Sequence, residues 1–208
     1  MPRRSKPSAR AHLDVFADHD RDTVVVYQAY GDAIADPALA AGRFVAPFSV
    51  TRMTWIKPSF LWLMARSNWA QKRGQERILA VRMTRAGWES ALAEAVLTHP
   101  EPGVHPDPGA WSRAFEQAHV HAQWDPERSL RGAKLPHRSL QIGLGRGRIE
   151  TFVADWIVSL TDLTPKVRKM HAALRAGRTD AARRQLPPER PYPLPQEIRR
   201  RLGMGQGA

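Results

Sequence analysis

Arg52–Trp69 reads RMTWIKPSFLWLMARSNW, a stretch that packs three Trp, one Phe and two Met around Arg52, Lys57, Ser59 and Arg66. Trp55, Trp62 and Trp69 recur every seven residues, close to two helical turns, so a continuous helix would carry them on one face. Pro58 argues for a later start. Proline lacks the N–H that a first helical residue leaves unpaired, its φ is already helical, and it pushes Lys57 out of the α region. The expectation is an extended segment, Met53–Lys57, turning into an apolar helix, Pro58–Trp69. An aromatic stripe at helical spacing is the ordinary signature of core packing. The turn adds a cation at Lys57, hydroxyls at Thr54 and Ser59, and free helix N–H groups, which together suit a phosphate-bearing ligand. Arg52 and Trp55 join them as candidate ligand contacts.

Working outward, 208 residues make one large domain or one domain with appendages, and 42% hydrophobic with 25% charged residues is the balance of a soluble globular chain. The absence of cysteine excludes disulfides, a thiolate nucleophile and cysteine-ligated metal centres. The basic N-terminus lacks the apolar run of a signal peptide, and no segment approaches eighteen uninterrupted apolar residues. A cytoplasmic protein without a membrane span is therefore expected. The formal charge of +12 is unevenly placed. Residues 1–10 carry Arg3, Arg4, Lys6 and Arg10 and no acid, and residues 165–208 carry eleven basic residues against three acids, leaving 11–164 neutral. Basic ends on a neutral body point to a polyanion, most simply nucleic acid, while solvated tails of an Arg-rich composition would look the same.

The expected architecture is a single α+β domain over 13–177, with a small mixed or antiparallel sheet and packing helices. It lies between a disordered basic arm (1–12) and a Pro/Arg-rich C-terminal extension (178–208). Thr23–Tyr27 (TVVVY) reads as a buried strand, and the segment after it as short helical turns, with Asp36-Pro37 a cap and Gly42 a stop. Arg43–Ser49 reads as extended. Gln75–Thr84 alternates like a strand buried mainly on one side, and Thr84 caps a helix to about Leu97. Thr98–Gly109, with four prolines and two glycines, is a loop long enough to be a lid. His119–Trp124 and Arg138–Leu144 read as strands separated by a polar turn, Asp125–Lys134. Ile149, Phe152, Val153, Trp156, Ile157 and Leu160 keep the rhythm of an amphipathic helix. Thr164-Pro165 opens a further helix ending at Gly177, Thr179–Leu186 forms a small one, and Pro187–Pro195 reads as a stiff linker.

Four constellations carry candidate chemistry. Tyr27, Gln28 and Tyr30 sit where the first strand ends, a common place for ligand-facing side chains. Arg52, Thr54, Lys57 and Ser59 form the second. Trp124-Asp125-Pro126-Glu127-Arg128 sets two carboxylates two residues apart beside an indole and a guanidinium, and a carboxylate there suits a ribose hydroxyl or general-base work, as it would also suit a helix cap or an ion pair. In the fourth, Arg138 is placed to pair with a phosphate or with Glu127. His119-x-His121 puts both imidazoles on one strand face and could ligate zinc with Asp125 as a third ligand, but without a nearby third His no metal is expected. Gly143-Leu-Gly145-Arg-Gly147 before a helix is a weak phosphate signal. No Walker loop, nucleophile elbow, HExxH or GxGxxG occurs.

At VVVYQAY (24–30), RMTWIKPSFLWLMARS (52–67), QWDPER (123–128) and RSLQIGL (138–144) the chain resembles the family known as domain of unknown function 4291, over roughly residues 10–180. More distantly it is similar to the ADP-ribosyltransferase superfamily, including its RNA phosphotransferase branch. Those proteins open with a strand ending in a ligand-binding polar residue and a helical turn closing on Gly-Phe; VVVYQAY followed by AGRF is similar, although Tyr27-Gln28 replaces the usual His or Arg. They continue through a strand and a hydroxyl-bearing turn into a helix, as in MTWIKPSFL, and many finish with a Glu like that of Asp125-Pro126-Glu127. This second resemblance implies a transferase using a nicotinamide dinucleotide (NAD). Gln28, Tyr30 and Tyr27 would hold the nicotinamide side, Arg52 and Lys57 the pyrophosphate, and Glu127 the ribose and the incoming nucleophile. The charge distribution adds DNA or RNA as an acceptor. The alternative is a non-enzymatic nucleic-acid-binding module whose Trp and Arg side chains stack on bases.

Overall fold

The structure, a computed structural model, describes residues 11–205. In chain order the elements are β1 (Phe16–Ala17), β2 (Thr23–Tyr30), α1 (Asp32–Ala41), β3 (Thr54–Ile56), α2 (Phe60–Ser67), β4 (Arg77–Thr84), α3 (Arg85–Glu94), β5 (Val96–Leu97) and α4 (Pro108–Gln117). There follow β6 (Val120–Arg128), β7 (Lys134–Leu144), α5 (Arg148–Thr151), a π-helical turn (Phe152–Trp156), β8 (Ile157–Asp162), α6 (Thr164–Arg175), α7 (Thr179–Arg183), β9 (Arg190–Pro191) and α8 (Gln196–Arg201). The chain is α+β. One sheet is antiparallel in the order β2-β4-β8. A second runs β3-β7-β6-β5, mixed because β5 lies parallel to β6.

Among the described residues the two sheets meet at a single backbone pair, where Tyr27 N–H donates to the Lys57 carbonyl at 2.7 Å. β2 is buried on both faces from Val24 to Gln28, which is why TVVVY runs without polar interruption, whereas β4 is buried mainly on one side, as expected, with Leu79, Val81 and Met83 inward and Arg82 and Thr84 partly exposed. Val24, Val26, Leu79, Val81 and Met83 enter the larger core. Val25, Tyr27 and Ile78 enter a smaller one under α2 and α6, with Phe60, Leu63, Met64, Val167 and Met170. Close approach is built in at Gly87 of α3, where a Cβ would come within 2.4 Å of the Trp156 ring.

Several local expectations are overturned by distant partners. Asp36-Pro37 lies inside α1 instead of capping it; Asp36, with Asp32 and Asp162, pairs with the Arg77 guanidinium. Gly42 stops α1 in the left-handed region as expected. Arg43–Ser49 forms no strand. Pro58 stands outside α2, whose cap is Ser59, with its Oγ accepting from Trp62 N–H. Of the expected polar turn Asp125–Lys134 only residues 129–133 turn, since β6 runs on to Arg128 and β7 starts at Lys134. Pro126 is tolerated because β5 accompanies β6 only at His121 and Ala122, leaving that edge open, and because the ladder slips between Pro126 and Arg128. The amphipathic helix expected to reach Leu160 ends at Trp156; from Ile157 the chain instead pairs with the open edge of β4. Thr98–Gly109 is not a lid over the cleft described below: Val104 packs on the larger core beside Gly203. Residues 1–10 of the basic arm lie outside the described residues, whereas the His12 carbonyl accepts from Arg138 N–H.

The linker reading of Pro187–Pro195 is likewise overturned. β9 pairs with β1, and Tyr192 donates from its hydroxyl to Glu89 at 2.7 Å. Beyond it, Ile198, Leu202 and Met204 enter the larger core. The C-terminal extension is thus docked on the body, and its removal would expose apolar surface. Leu202→Ala, at a fully buried site, is expected to cost about 2–5 kcal/mol in urea unfolding of the full chain. A cost below about 0.5 kcal/mol would show that the extension contributes no packing.

Candidate functional site

Beyond the Tyr27–Lys57 pair, β2 and β3 separate, and side chains replace the missing ladder. Gln28 Nε2 lies 3.1 Å from the Trp55 carbonyl, 2.7 Å from Thr54 Oγ1 and 2.8 Å from the Tyr30 hydroxyl, which is itself 3.0 Å from Thr54 Oγ1. An amide has two N–H groups for these three acceptors, so the cluster shares its donors. Gln28 Oε1 is buried and has no partner. Burial pushes the Tyr30 phenol up to about 12 and Tyr27 well above its ordinary range, so both remain neutral donors at physiological pH.

The gap between the diverging strands is a cleft of about 560 Å³. Tyr27, Gln28, Tyr30, Thr54, Trp55 and Lys57 line one side of it. Gln123 and Asp125 of β6 and Gln141 of β7 line the other, sharing a face because Gln123 stands opposite Gln141 and Asp125 two residues on, opposite Ser139. Trp62 and Arg66, one helical turn apart on α2, complete the wall.

Lys57 is the electrostatic centre of this cleft. It is 2% exposed; its Nζ sits 3.0 Å from Asp125 Oδ2 and 3.4 Å from the centroid of the Trp62 ring. Burial pushes its ammonium down to about 8, against the opposing pull of Asp125 and, more weakly, of Glu127. Asp125 is held by its second oxygen, which accepts from Gln123 Nε2 at 2.9 Å. The site therefore presents an amine within reach of its neutral form at mildly alkaline pH, beside a fixed carboxylate. That arrangement suits proton transfer and the stabilisation of a developing positive charge.

The sequence candidates divide into four groups. Tyr27, Gln28, Tyr30, Thr54, Trp55 and Lys57 converge on the cleft. Ser59 and Glu127 lie behind its wall: Ser59 Oγ donates to Glu127 Oε1 at 2.9 Å, the same oxygen accepts from Arg128 N–H, and Glu127 is 3% exposed. Glu127 is thus a buried strand residue buttressing the cap of α2, not a residue of a polar turn. Arg52 is exposed and outside the cleft. Trp124 and Arg138 belong to the opposite face of the sheet, where Trp124 Nε1 donates to the Leu202 carbonyl and Arg138 to the Trp124 carbonyl, so neither reaches the cleft. The glycine run has a packing explanation at Gly143, where a Cβ would meet Met53 Sδ at 2.8 Å and the Trp55 ring at 3.0 Å. His121 packs on Phe115, and His119 Nδ1 lies 3.1 Å from the Arg146 carbonyl. Among the described residues no three His, Asp or Glu side chains converge as metal ligands.

Sequence reasoning gave Gln123 no role; Arg66 entered only among the charges of the central stretch and Gln141 only as the end of the Arg138-Ser139-Leu140-Gln141 constellation. The two glutamines were findable: polar residues at alternate positions of two apolar strands mark one shared polar face. No helix among the described residues is long and apolar enough to cross a membrane.

A family model described as a domain of unknown function, DUF4291, matches residues 14–192. The matched span runs from just before β1 to just past its partner β9. No curated protein matches the chain.

The depressed Lys57 fixes a pH dependence. Below about pH 8 the folded chain carries a buried charge that the unfolded chain, titrating near 10.5, carries in water. Between these values the unfolded state binds more protons, so stability rises with pH across that window and levels off above it. The unfolding free energy of the wild type minus that of Lys57→Met is expected to rise by about 3 kcal/mol from pH 7 to 10.5. A flat difference in urea titrations would place the amine in solvent.

Proposed function

The chain belongs to the DUF4291 family, and from that premise, which assigns no activity, we propose that the cleft is the active site of an ADP-ribosyltransferase-like enzyme using a nicotinamide dinucleotide. The observation carrying this reading is convergence. The end of β2 (Gln28, Tyr30), the β3 turn (Thr54, Lys57) and β6 (Asp125), separated by up to 97 positions in sequence, line one cleft of about 560 Å³. Two of these three segments are those that the ADP-ribosyltransferase resemblance assigns to ligand contact; in the third the carboxylate on the cleft is Asp125, not the Glu127 of the resemblance.

The chemistry follows from the side chains. Gln28 and Tyr30 offer a buried amide and a neutral phenol to the carboxamide end of the cofactor. Trp62 and Trp55 provide aromatic wall, and Arg66, not Arg52, is the guanidinium placed for the pyrophosphate. When the bond between the ribose C1′ and the nicotinamide nitrogen breaks, that nitrogen keeps the electron pair and nicotinamide leaves neutral. Positive charge then develops on the ribose, and Asp125 is the carboxylate in the cleft to stabilise it. An acceptor hydroxyl or amine attacks C1′ and releases its proton to Asp125 or to neutral Lys57. Glu127 acts at one remove, by holding Ser59 and hence the start of α2. DNA or RNA is the acceptor class that the excess of basic charge in the chain favours.

Asp125→Asn keeps the shape of the site and removes the charge. Consumption of a labelled nicotinamide dinucleotide, assayed with and without single-stranded DNA and RNA, is expected to fall by about 100-fold or more, with cofactor binding retained. Glu127→Gln is expected to lower thermal stability along with activity, because its carboxylate is a buried acceptor. Wild-type chain that neither binds nor consumes the dinucleotide under both conditions sinks the enzyme reading and leaves a nucleic-acid-binding module.

A further inference from the structure

Behind the cleft, on the far side of Trp62 and Arg66, lies a second concavity of about 530 Å³ that shares those two side chains with it and is otherwise lined by residues to which the transferase chemistry gives no role. Trp62, Arg66, Trp69, Arg128, Arg131 and His171 are its functional lining, and none of the lining residues is acidic. Arg66 and Arg131 make no ion pair among the described residues; Arg131 donates only to the Thr179 hydroxyl, at 3.1 Å. The Arg128 guanidinium is short of acceptors: one nitrogen reaches the Gly132 carbonyl at 3.3 Å, and its Nε is buried without a hydrogen-bond partner. Three cations thus face a space that supplies them with almost no negative charge.

The aromatic side of the groove is held by costly backbone. α2 ends in three consecutive non-glycine residues in the left-handed region, Asn68, Trp69 and Ala70, with φ of 49°, 54° and 64°. Such conformations are unfavourable for residues with a Cβ and persist where the surroundings enforce them. Their effect is to bring the Trp69 ring onto His171 of α6, stacked at 5.6 Å with 6° between planes. Burial and the nearby Arg175 charge hold the His171 imidazole below its ordinary pKa, so the pair stacks as neutral rings near pH 7.

We propose that this groove binds single-stranded nucleic acid, with Arg66, Arg128 and Arg131 on successive phosphates and bases stacked against its Trp and His rings. Guanidinium groups beside flat rings match the alternation of phosphate and base along a strand, whereas a purely anionic ligand would leave the rings unused. The groove shares Trp62 and Arg66 with the cleft, so a strand lying in it passes within one side chain of the Lys57–Asp125 pair. Calling that strand the acceptor rests on the transferase reading; the binding itself does not.

The test uses the full chain and fluorescence anisotropy with a labelled 12-nucleotide DNA and an abasic oligomer of equal length and charge, over a range of salt. Wild type is expected to bind the DNA at least tenfold more tightly than the abasic oligomer, with quenching of Trp fluorescence. Arg66→Glu with Arg131→Glu is expected to weaken binding tenfold or more and to reduce the salt slope by about 1.4, the loss of two phosphate contacts on a single strand. Arg131→Gln alone, at an exposed position with no fold to disturb, should give a smaller loss of the same sign. Equal affinity for the abasic oligomer would overturn the proposal, as would affinity and slope unchanged in both variants. The first result would leave a site for phosphates alone, and the second would assign any binding to another part of the chain. These outcomes are read without the dinucleotide, so they stand or fall apart from the transferase assay.

Discussion

An ammonium group leaves water only if something replaces the water, and Lys57 is where this chain meets that constraint. Among the described residues its backbone carbonyl makes the one ladder bond joining the two sheets, so its position is fixed before its side chain is considered. The side chain then has to find a carboxylate and a ring inside the fold. Asp125 supplies the first from β6, and Trp62 the second from α2. A single residue therefore ties together β2, β3, α2 and β6, and the divergence of β2 from β3 beyond it opens the cleft. The cost of burying Lys57, visible in its lowered pKa, is linked to the geometry that makes the cleft.

The same junction explains why the polar residues beside the end of β2 are amides and hydroxyls. Where strands separate, carbonyls lose their ladder partners, and a neutral donor must replace the backbone N–H. Gln28 does this for Trp55 while holding Tyr30 and Thr54 in a shared network. A charged side chain at position 28 would sit close to the Lys57 pair without counter-charge. Gln28 is thus the residue that closes the split.

Much of this was legible in the sequence wherever local preference and tertiary need agreed. TVVVY is a strand on any reading, Gly42 and Gly177 end helices in the left-handed region, and Thr84 caps α3. The reading failed where a distant partner decided. Pro126 signalled a turn, but a turn is not required where a strand edge is open. The helical rhythm through Leu160 broke at Ile157 because β4 had an edge to fill, and five prolines at 187–195 did not prevent β9 from closing on β1. For the site, strand-end and turn residues were found because their positions are set locally. Trp124 and Arg138 were misplaced because which face of β6 and β7 meets α2 is a tertiary fact; period-2 alternation alone leaves the two faces equivalent.

Asp125 and Glu127 show how far that ambiguity reaches. Two carboxylates at i and i+2 of a strand have equal claim to one face, and residue type does not rank them. The slip of the ladder after Pro126 separates their environments. Asp125 stays on the cleft, bridged to Lys57 and Gln123. Glu127 is turned under the start of α2, where its Oε1 accepts from the Ser59 hydroxyl and the Arg128 N–H. Ser59 in turn caps the helix that carries Trp62 and Arg66, the two side chains dividing the cleft from the basic groove. A buried carboxylate behind the cleft thus sets the wall between both cavities, while its neighbour two residues earlier supplies the charge inside one of them. The division of labour comes from one proline and one bulge, not from the acids themselves.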